Sequence, residues 1–222
     1  MGHARITRRD SLVRLGGFAV AALGLRGLEV EPAAAASVAC VLTPEQTEGP
    51  YYIAGEKLRR NITEGRPGVP LVLRTFVVDA STCRPIRNAA VDIWHADASG
   101  VYSGFGSGSS NRTFMRGIQR TNAKGLAQFR TVYPGWYPGR TVHIHVKVHL
   151  SGNVVHTGQL YFPDSVTDAV YKRAPYSSRP NRATRNAGDM IFGSGGRRSL
   201  LSLRRSSGGA YVATITMGVH RT

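Results

Sequence analysis

The chain has 222 residues, of which 41% are hydrophobic and 19% charged, and its formal net charge is +16. This composition excludes an intrinsically disordered chain, and the length is sufficient for one domain with a sizeable core. The 26 glycines and 11 prolines indicate frequent turns, which favours an all-β architecture. The charge is unevenly distributed, because the part from Lys172 onward holds ten Lys or Arg and one acid, Asp189.

The first 36 residues have the pattern of an export signal. Residues 7–12, TRRDSL, form a twin-arginine pattern, an apolar run follows at 16–25, and residues 33–36 offer alanine cleavage sites. The apolar run is too short to span a bilayer as a helix, so we expect no stable membrane insertion. We therefore predict export to the cell envelope or the exterior, with residues 37–222 forming a single domain.

The two cysteines, Cys40 and Cys83, are candidates for a disulfide. Export makes disulfides permissible, and an even cysteine count favours one bridge between the mature N-terminus and a turn. Lipidation of Cys40 is an alternative, since residues 37–40 resemble a weak lipobox, and two unrelated thiols are another. The spacing does not suit a soft two-cysteine metal site, because it contains no CxxC.

Short apolar segments separated by turn residues run through the rest of the chain. Such strands at short intervals predict an all-β fold, a β-sandwich with long loops and at most one or two short helices. One helix is expected near residues 163–174, with Asp164 or Ser165 as its N-cap. Strands are predicted at 71–79, 88–95, 142–148, 153–162 and 210–219, and a hairpin is predicted from 114–119 and 125–132 around the turn 122–125.

The predicted strand at 142–148 alternates apolar and polar residues. His143 and His145 therefore project from the same face, about 7 Å apart along the backbone, and two adjacent imidazoles suit a metal ion. The alternative is a pair of half-exposed polar positions that bind nothing. Just upstream, Pro134-Gly135 and Pro138-Gly139 bracket Tyr137, so the loop holds a phenol near the start of this strand.

A second phenol, Tyr102, follows the turn after the 88–95 strand. Phenolate is a hard anionic donor, so two Tyr and two His together favour Fe(III) over Zn(II) or Cu(II). Because a free Tyr has a pKa of about 10, only a strong Lewis acid would keep two of them ionised near neutral pH. A zinc or copper enzyme using the His pair, and a non-enzymatic binding sandwich, remain the competing interpretations.

At these residues the sequence resembles the intradiol ring-cleavage dioxygenases, the family of catechol and hydroxyquinol 1,2-dioxygenases and protocatechuate 3,4-dioxygenase. Five motifs carry the resemblance in the family's order and span nearly all of the mature chain up to Phe162. They are TEGPYY (47–52), VDIWHADASGVYSG (91–104), GWYPGR (135–140), HIH (143–145) and GQLYF (158–162).

The resemblance implies a β-sandwich that holds one mononuclear non-haem Fe(III). It implies that Tyr102, Tyr137, His143 and His145 are the iron ligands, and that Tyr137 leaves the iron and takes up a proton when substrate binds. Tyr133 is the alternative ligand if the loop is shifted, although the family's P-G-x-Y-P spacing selects Tyr137.

Further roles follow from the same resemblance. Arg140 is expected to stabilise negative charge on the substrate ring, and Gln159 to lie near the substrate and the His ligands. Residues expected to line the substrate cleft are Gly49, Pro50 and Tyr51. We expect Trp94 to belong to the core and His95 to be structural, and we expect His149 and His156 to face solvent.

The implied reaction is cleavage of a catechol-type diol by O2 to a cis,cis-muconate-type product, with both oxygen atoms incorporated. The family's helical N-terminal domain is not recognisable, which leaves the oligomeric state open. With its export signal, the chain most resembles the secreted single-domain bacterial members of the family. The basic C-terminal part shows no nucleic-acid-binding motif, so we expect small-molecule catechols and O2 as partners, and no nucleic acid.

Overall fold

A computed structural model describes residues 40, 42–105 and 108–221. The expected export signal at residues 1–36 lies outside the described residues. Among the described residues, no helix combines the length and the apolar character that crossing a membrane requires. The secondary structure consists mainly of strands: β1 (Pro70–Asp79), β2 (Ala90–Trp94), β3 (Arg116–Arg120), β4 (Leu126–Val132), β5 (His143–Leu150), β6 (Asn153–Tyr161), α1 (Asp164–Val170), α2 (Met190–Gly193), β7 (Ser202–Arg205) and β8 (Tyr211–Val219).

The strands form two four-stranded sheets, which confirms the all-β fold class. Sheet A has the order β4-β1-β8-β7 and sheet B the order β3-β2-β5-β6. The β1–β8 pair is parallel, whereas the other neighbouring pairs are antiparallel. This arrangement places β5, with its two histidines, in the interior of sheet B rather than at an edge.

The hydrophobic core is built from alternate residues of both sheets. Leu71, Leu73 and Val77 of β1 are fully buried, as are Ile144 and Val146 of β5. Because side chains alternate across a strand, these residues point inward while their neighbours point to the outer faces. Burying each such side chain contributes about 1.5–3 kcal/mol, so the period-two pattern is sufficient to fix which face of each strand is internal.

The predicted hairpin at 114–132 is wrong. The turn itself exists, since the Gly125 N–H donates to the Asn122 carbonyl at 2.9 Å. However, β3 pairs with β2 in sheet B, whereas β4 pairs with β1 in sheet A. The turn therefore carries the chain from one sheet to the other, and local turn chemistry cannot specify which partner each strand selects.

Helix α1 begins without the predicted side-chain cap. Its N-cap is Pro163, and neither Asp164 nor Ser165 caps the helix. The Asp164 carboxylate instead accepts a hydrogen bond from Arg182 at 2.6 Å, and Arg182 also binds Asp168. These ion pairs neutralise part of the basic charge of the C-terminal part within the fold. The short strand β7 was also not predicted.

Cys40 and Cys83 are joined in a disulfide that links positions 43 residues apart. The bridge ties the start of the described chain to the turn that follows β1. A sulfur held in this bond is not available for acylation, so the bridge and the lipidation of Cys40 are mutually exclusive.

The segment of residues 43–59 covers the outer face of sheet B. It is hydrogen-bonded to β6 through the Gln46 N–H and the Thr157 carbonyl at 2.9 Å, and to β3 through Arg59 and Ile118 at 3.0 Å. Polar residues on this face are consequently buried, among them Asp92, with 1% of its surface exposed. This cover encloses the side chains that the sequence singles out.

Candidate metal centre

His143 and His145 lie side by side on the outer face of sheet B. Their side chains are 2% and 1% exposed, and their Nε2 atoms are 3.0 Å apart. The ladder places His145 between Trp94 of β2 and Gln159 of β6. The Trp94 ring is stacked on His145 with 4.9 Å between centroids, so Trp94 is both a core residue and a support for the imidazole.

The protonation of these imidazoles follows from their surroundings. His143 Nδ1 is 2.6 Å from the Thr141 carbonyl, which can only accept, so Nδ1 carries the proton and Nε2 a lone pair. Burial and the Arg140 charge lower the pKa of His143 to about 3, and burial together with His143 lowers the pKa of His145 well below its usual value. Both rings are therefore neutral, as metal ligands must be.

Tyr137 brings a phenol to the same point. Its Oη is 3.1 Å from His143 Nε2. The loop that carries it is fixed at Gly135, whose N–H donates to the Asp97 carbonyl at 2.9 Å, and a Cβ there would lie only 2.5 Å from the Asp97 and Ala98 carbonyl oxygens. Glycine at position 135 thus permits the close approach that brings the Tyr137 loop against the turn preceding Tyr102.

Tyr102 completes the group. It is 4% exposed, and its ring centroid is 5.5 Å from that of Tyr137 and 6.1 Å from that of His145. Its Oη is buried and makes no hydrogen bond of normal geometry, although the Tyr137 hydroxyl approaches it. Such an arrangement costs about 1–3 kcal/mol unless a ligand is bound. Burial raises the pKa of both phenols, so they are neutral in the absence of a cation.

The four predicted ligands are therefore brought together. Two imidazole nitrogens and a phenol oxygen face one another at about hydrogen-bonding distance, and a second phenol beside them makes no hydrogen bond of normal geometry. This donor set fits a hard, highly charged cation such as Fe(III). Tyr133 is not part of it, because its hydroxyl is hydrogen-bonded to Thr167 at 2.8 Å within the core.

The other histidines have different surroundings. His95 is structural, with Nδ1 2.8 Å from the Ala96 carbonyl and Nε2 2.8 Å from the Thr131 hydroxyl. The prediction that His156 faces solvent is wrong: it is 2% exposed on β6, and burial lowers its pKa to about 4. His149 is half-buried rather than solvent-facing.

Arg140 extends from the Tyr137 loop toward the His pair. Its Nη1 is 3.4 Å from His143 Nε2, its Nη2 donates to Gln159 Oε1, and its Nε donates to Asp189 Oδ2 at 2.9 Å. Gln159 is in turn anchored by donating to the Thr47 carbonyl at 2.9 Å. The guanidinium is consequently held in one orientation beside the candidate metal ligands.

Asp189 is a residue of this site that the sequence reasoning missed. Besides Arg140, its carboxylate accepts hydrogen bonds from the Thr141 N–H at 2.7 Å and the Phe192 N–H at 2.9 Å. Burial raises the pKa of Asp189, but these N–H donors and the Arg140 charge outweigh burial and bring it below its usual value. The sequence signal that could have singled out Asp189 is that it is the one acid in the basic stretch from Lys172 onward.

Residues 49–51 pass directly over the site. Gly49 has φ +72°, and a Cβ there would be 3.2 Å from His145 Cε1, so position 49 requires glycine. Tyr51 is stacked on Tyr102 with 4.3 Å between centroids, and its carbonyl accepts from Arg116 Nη1 at 2.7 Å. Pro50 is exposed. The segment therefore forms part of the wall around the Tyr and His cluster.

Comparisons with known proteins agree on one family. A family model described as Dioxygenase matches residues 47–179. An intradiol ring-cleavage dioxygenase from Tetranychus urticae is 37% identical, with a TM-score of 0.78 and coverage of 82% of this chain and 95% of that one. The dioxygenase domain of a carbohydrate-binding fusion protein from Streptomyces sp. SirexAA-E is 33% identical, with a TM-score of 0.64 and coverage of 82% and 100%.

Among curated sequences, catechol 1,2-dioxygenase 2 of Acinetobacter lwoffii is 37% identical over 99 residues, which is 43% of this chain and 35% of the relative. Catechol 1,2-dioxygenase 1 of the same organism is 33% identical over 101 residues, 32% of its length. The chain thus spans about a third of the length of these curated relatives.

Proposed function

This chain belongs to the intradiol ring-cleavage dioxygenase family, and we therefore propose that it cleaves catechol-type diols with O2 at a single ferric centre. The observation that carries the proposal is the convergence of His143 Nε2, His145 Nε2 and Tyr137 Oη beside the buried hydroxyl of Tyr102. The curated relatives named above act on catechol, which supports a catechol as substrate.

The four side chains would hold the metal as a two-histidine, two-tyrosine set. A ferric ion bound there would supply the Lewis acidity that keeps the phenols ionised and makes a bound diol more acidic. The neutral imidazoles contribute lone pairs, and the Thr141 carbonyl fixes the His143 ring in the required tautomer. Trp94 stacked on His145 keeps that ring from rotating.

The two phenols are suited to different tasks. Tyr102 is fully buried under Tyr51, whereas Tyr137 is only partly buried and lies on a loop. Tyr137 would therefore be the phenol that gives way to an incoming diol, and its Oη could then take up a proton from a diol hydroxyl. Tyr102 would serve as the oxygen donor to the metal throughout.

Arg140 would act on the substrate rather than on the metal. Its guanidinium is fixed by Asp189 and Gln159, so it can stabilise negative charge that develops on the diol ring without first reorganising. The expected product of ring opening between the two hydroxylated carbons is a cis,cis-muconate-type diacid, with both atoms of O2 incorporated.

The test is metal analysis followed by oxygen uptake. Protein from iron-replete cells should contain close to one iron per chain, show a visible tyrosinate charge-transfer band, and consume O2 with catechol. Correctly folded protein without iron or colour would overturn the proposal, and a stoichiometric zinc or copper content would favour the competing metalloenzyme.

We also propose that the chain is exported through its twin-arginine pattern. The sequence TRRDSL at residues 7–12, followed by the apolar run and the alanines, supports this assignment. Replacing Arg8 and Arg9 with Lys should retain the protein in the cytoplasm of a bacterial host, as measured by fractionation. Unchanged export of the double variant would contradict it.

A further inference from the structure

A second cavity lies on the outer face of sheet B, away from the His pair. Its volume is about 580 Å³, which is within the usual range for a small-molecule site. On β5 it borders His149, four residues beyond His145 and hence about 13 Å along the strand. It does not involve any of the four candidate metal ligands. The lining includes Tyr52, Ile86, Arg87, Asp92, Ile118, Arg120, His149, Leu150 and Arg221.

The deepest polar group of this cavity is the Asp92 carboxylate. Asp92 is 1% exposed, and among the described residues neither of its oxygens accepts a hydrogen bond of normal geometry. The Tyr52 hydroxyl, on a residue that lines the same cavity, is the side-chain donor that approaches the carboxylate. His149 Nε2, which borders the same cavity, is also buried and unpaired. Leaving a buried acceptor unsatisfied costs about 1–3 kcal/mol, so a ligand that donates hydrogen bonds here would recover that free energy.

The mouth of the cavity has the opposite character. Arg87, Arg120 and Arg221 border it and are exposed, while Asp92 at the floor is the one acid among the lining residues. Between floor and mouth, the Tyr52 ring, Ile118 and Leu150 provide apolar contact. The cavity thus presents acceptors inside, an apolar middle and guanidinium groups at the opening.

We propose that this cavity binds a small phenolic acid. The phenolic hydroxyl would donate to Asp92 at the floor, the ring would pack against Tyr52 and Ile118, and the carboxylate would pair with Arg87 and Arg120 at the mouth. A neutral sugar would leave the arginines unused, and a simple inorganic anion would leave Asp92 unpaired. The inference does not depend on the proposed dioxygenase activity, because the two sites share no ligand residue.

Calorimetric titration of the iron-loaded protein with 4-hydroxybenzoate tests the proposal. This probe carries a carboxylate and one hydroxyl, and it lacks the adjacent hydroxyl pair of a catechol. Replacing both Arg87 and Arg120 with Ala should weaken binding about tenfold, since two charge-assisted contacts are lost. The matched control replaces Arg204 and Arg205 with Ala: both are exposed on β7 of sheet A, the charge change is the same, and the affinity should not change.

A second comparison tests the floor of the cavity. Benzoate, which has no hydroxyl, should bind the wild-type protein about tenfold more weakly than 4-hydroxybenzoate. In Asp92→Leu the two acids should bind equally weakly, because the acceptor has been removed. If Asp92→Leu does not fold, the arginine pair and the wild-type preference decide the question.

Two results would overturn the inference. One is equal affinity of the wild-type protein for benzoate and 4-hydroxybenzoate. The other is binding that survives the Arg87/Arg120 replacement but is abolished by His143→Ala, which would place the acid in the metal centre.

Discussion

The outer faces of the two sheets start from the same sequence pattern and end in opposite environments. Both carry polar side chains at alternate positions of their strands. On sheet A, Arg74 and Thr214 are half-exposed and Thr216 is exposed. On sheet B, His145 and Gln159 are 1% and 0% exposed. Alternation fixes the direction of a side chain, but what covers it decides whether it meets water.

The segment that covers sheet B explains why a reactive site is expected on the outer face of that sheet. Residues 43–59 cross sheet B, and the Tyr137 loop and Asp189 close its histidine end. Burial keeps His143 and His145 neutral, as the lowered pKa of each ring shows. On sheet A, Thr216 is exposed and Arg74 is half-exposed with its Nε buried, so polar side chains on this outer face meet water more than those on sheet B.

The largest effect is expected from a matched pair of substitutions on the two faces. His145→Ala on sheet B removes a metal ligand, so iron content should fall below a tenth and turnover by more than about 100-fold, the upper end of what second-sphere changes cost. Thr214→Ala, on the outer face of sheet A, should alter neither. Metal analysis and oxygen uptake measure both variants, and full iron in His145→Ala would remove that residue from the ligand set.

A more limited effect, on turnover but not on iron content, is expected at Arg140, which contacts the ligand set without belonging to it. Arg140→Ala should retain iron and the visible band but lose about 10²–10³-fold in kcat, the usual cost of removing one preorganised charge-stabilising donor. Arg130→Ala, exposed on sheet A, is the matched control and should behave as wild type. An unchanged kcat in Arg140→Ala would remove its assigned role.

The strands and the direction of their side chains could be predicted from the sequence. The alternation at β5 placed His143 and His145 on one face, and the Pro-Gly pairs placed Tyr137 near them, because both signals are local. The pairing of β3 and β4 could not be predicted, since the turn at residues 122–125 is compatible with a hairpin or with a crossing between sheets. That choice depends on contacts with β1 and β2, which lie far away in sequence.

The ligand identities and the roles of Arg140 and Gln159 came from motif resemblance, whereas Asp189 did not. Asp189 lies 49 positions from Arg140 in a stretch without a family motif, so nothing local connects the two residues. His156 was misassigned for a related reason: its burial depends on packing against distant segments, such as the Pro44 region that also approaches Gly158. The alternating pattern of a strand does not show which distant segments of the chain will bury its side chains.

Asp189→Asn tests whether this distant residue matters for turnover. Thr141 and Phe192 donate to different oxygens of the Asp189 carboxylate, so the single amide oxygen of asparagine can accept from only one of them. The substitution also removes the charge that orients Arg140. We expect kcat to fall about 10–100-fold, with less change in KM and with iron content unaffected. Asp168→Asn, a more exposed carboxylate also paired with arginines, is the control and should leave kcat unchanged. If Asp189→Asn and Asp168→Asn have the same kcat, the role of Asp189 is limited to capping α2 through the Phe192 N–H.

A separate effect, on stability rather than on turnover, is a pH dependence with opposite signs at one carboxylate of each sheet. Burial raises the pKa of Asp92, on sheet B, to about 7, whereas the Ser81 N–H hydrogen bond lowers the pKa of Asp79, at the end of β1 in sheet A. An unfolded Asp ionises near pH 3.9, so folding opposes ionisation of Asp92 and favours ionisation of Asp79.

The Asp92 contribution should therefore decrease as pH rises from about 4 to about 7 and stay constant above, by roughly 4 kcal/mol in total at about 1.4 kcal/mol per pKa unit. Asp92→Asn should remove this slope, so that its stability relative to wild type improves across that range. Asp79→Asn should do the reverse, destabilising the protein at neutral pH and converging on wild type as pH falls below the unfolded pKa. Urea denaturation of the iron-free protein from about pH 2 to pH 8 covers both windows, and slopes of the same sign would mean that Asp92 is not a desolvated carboxylate.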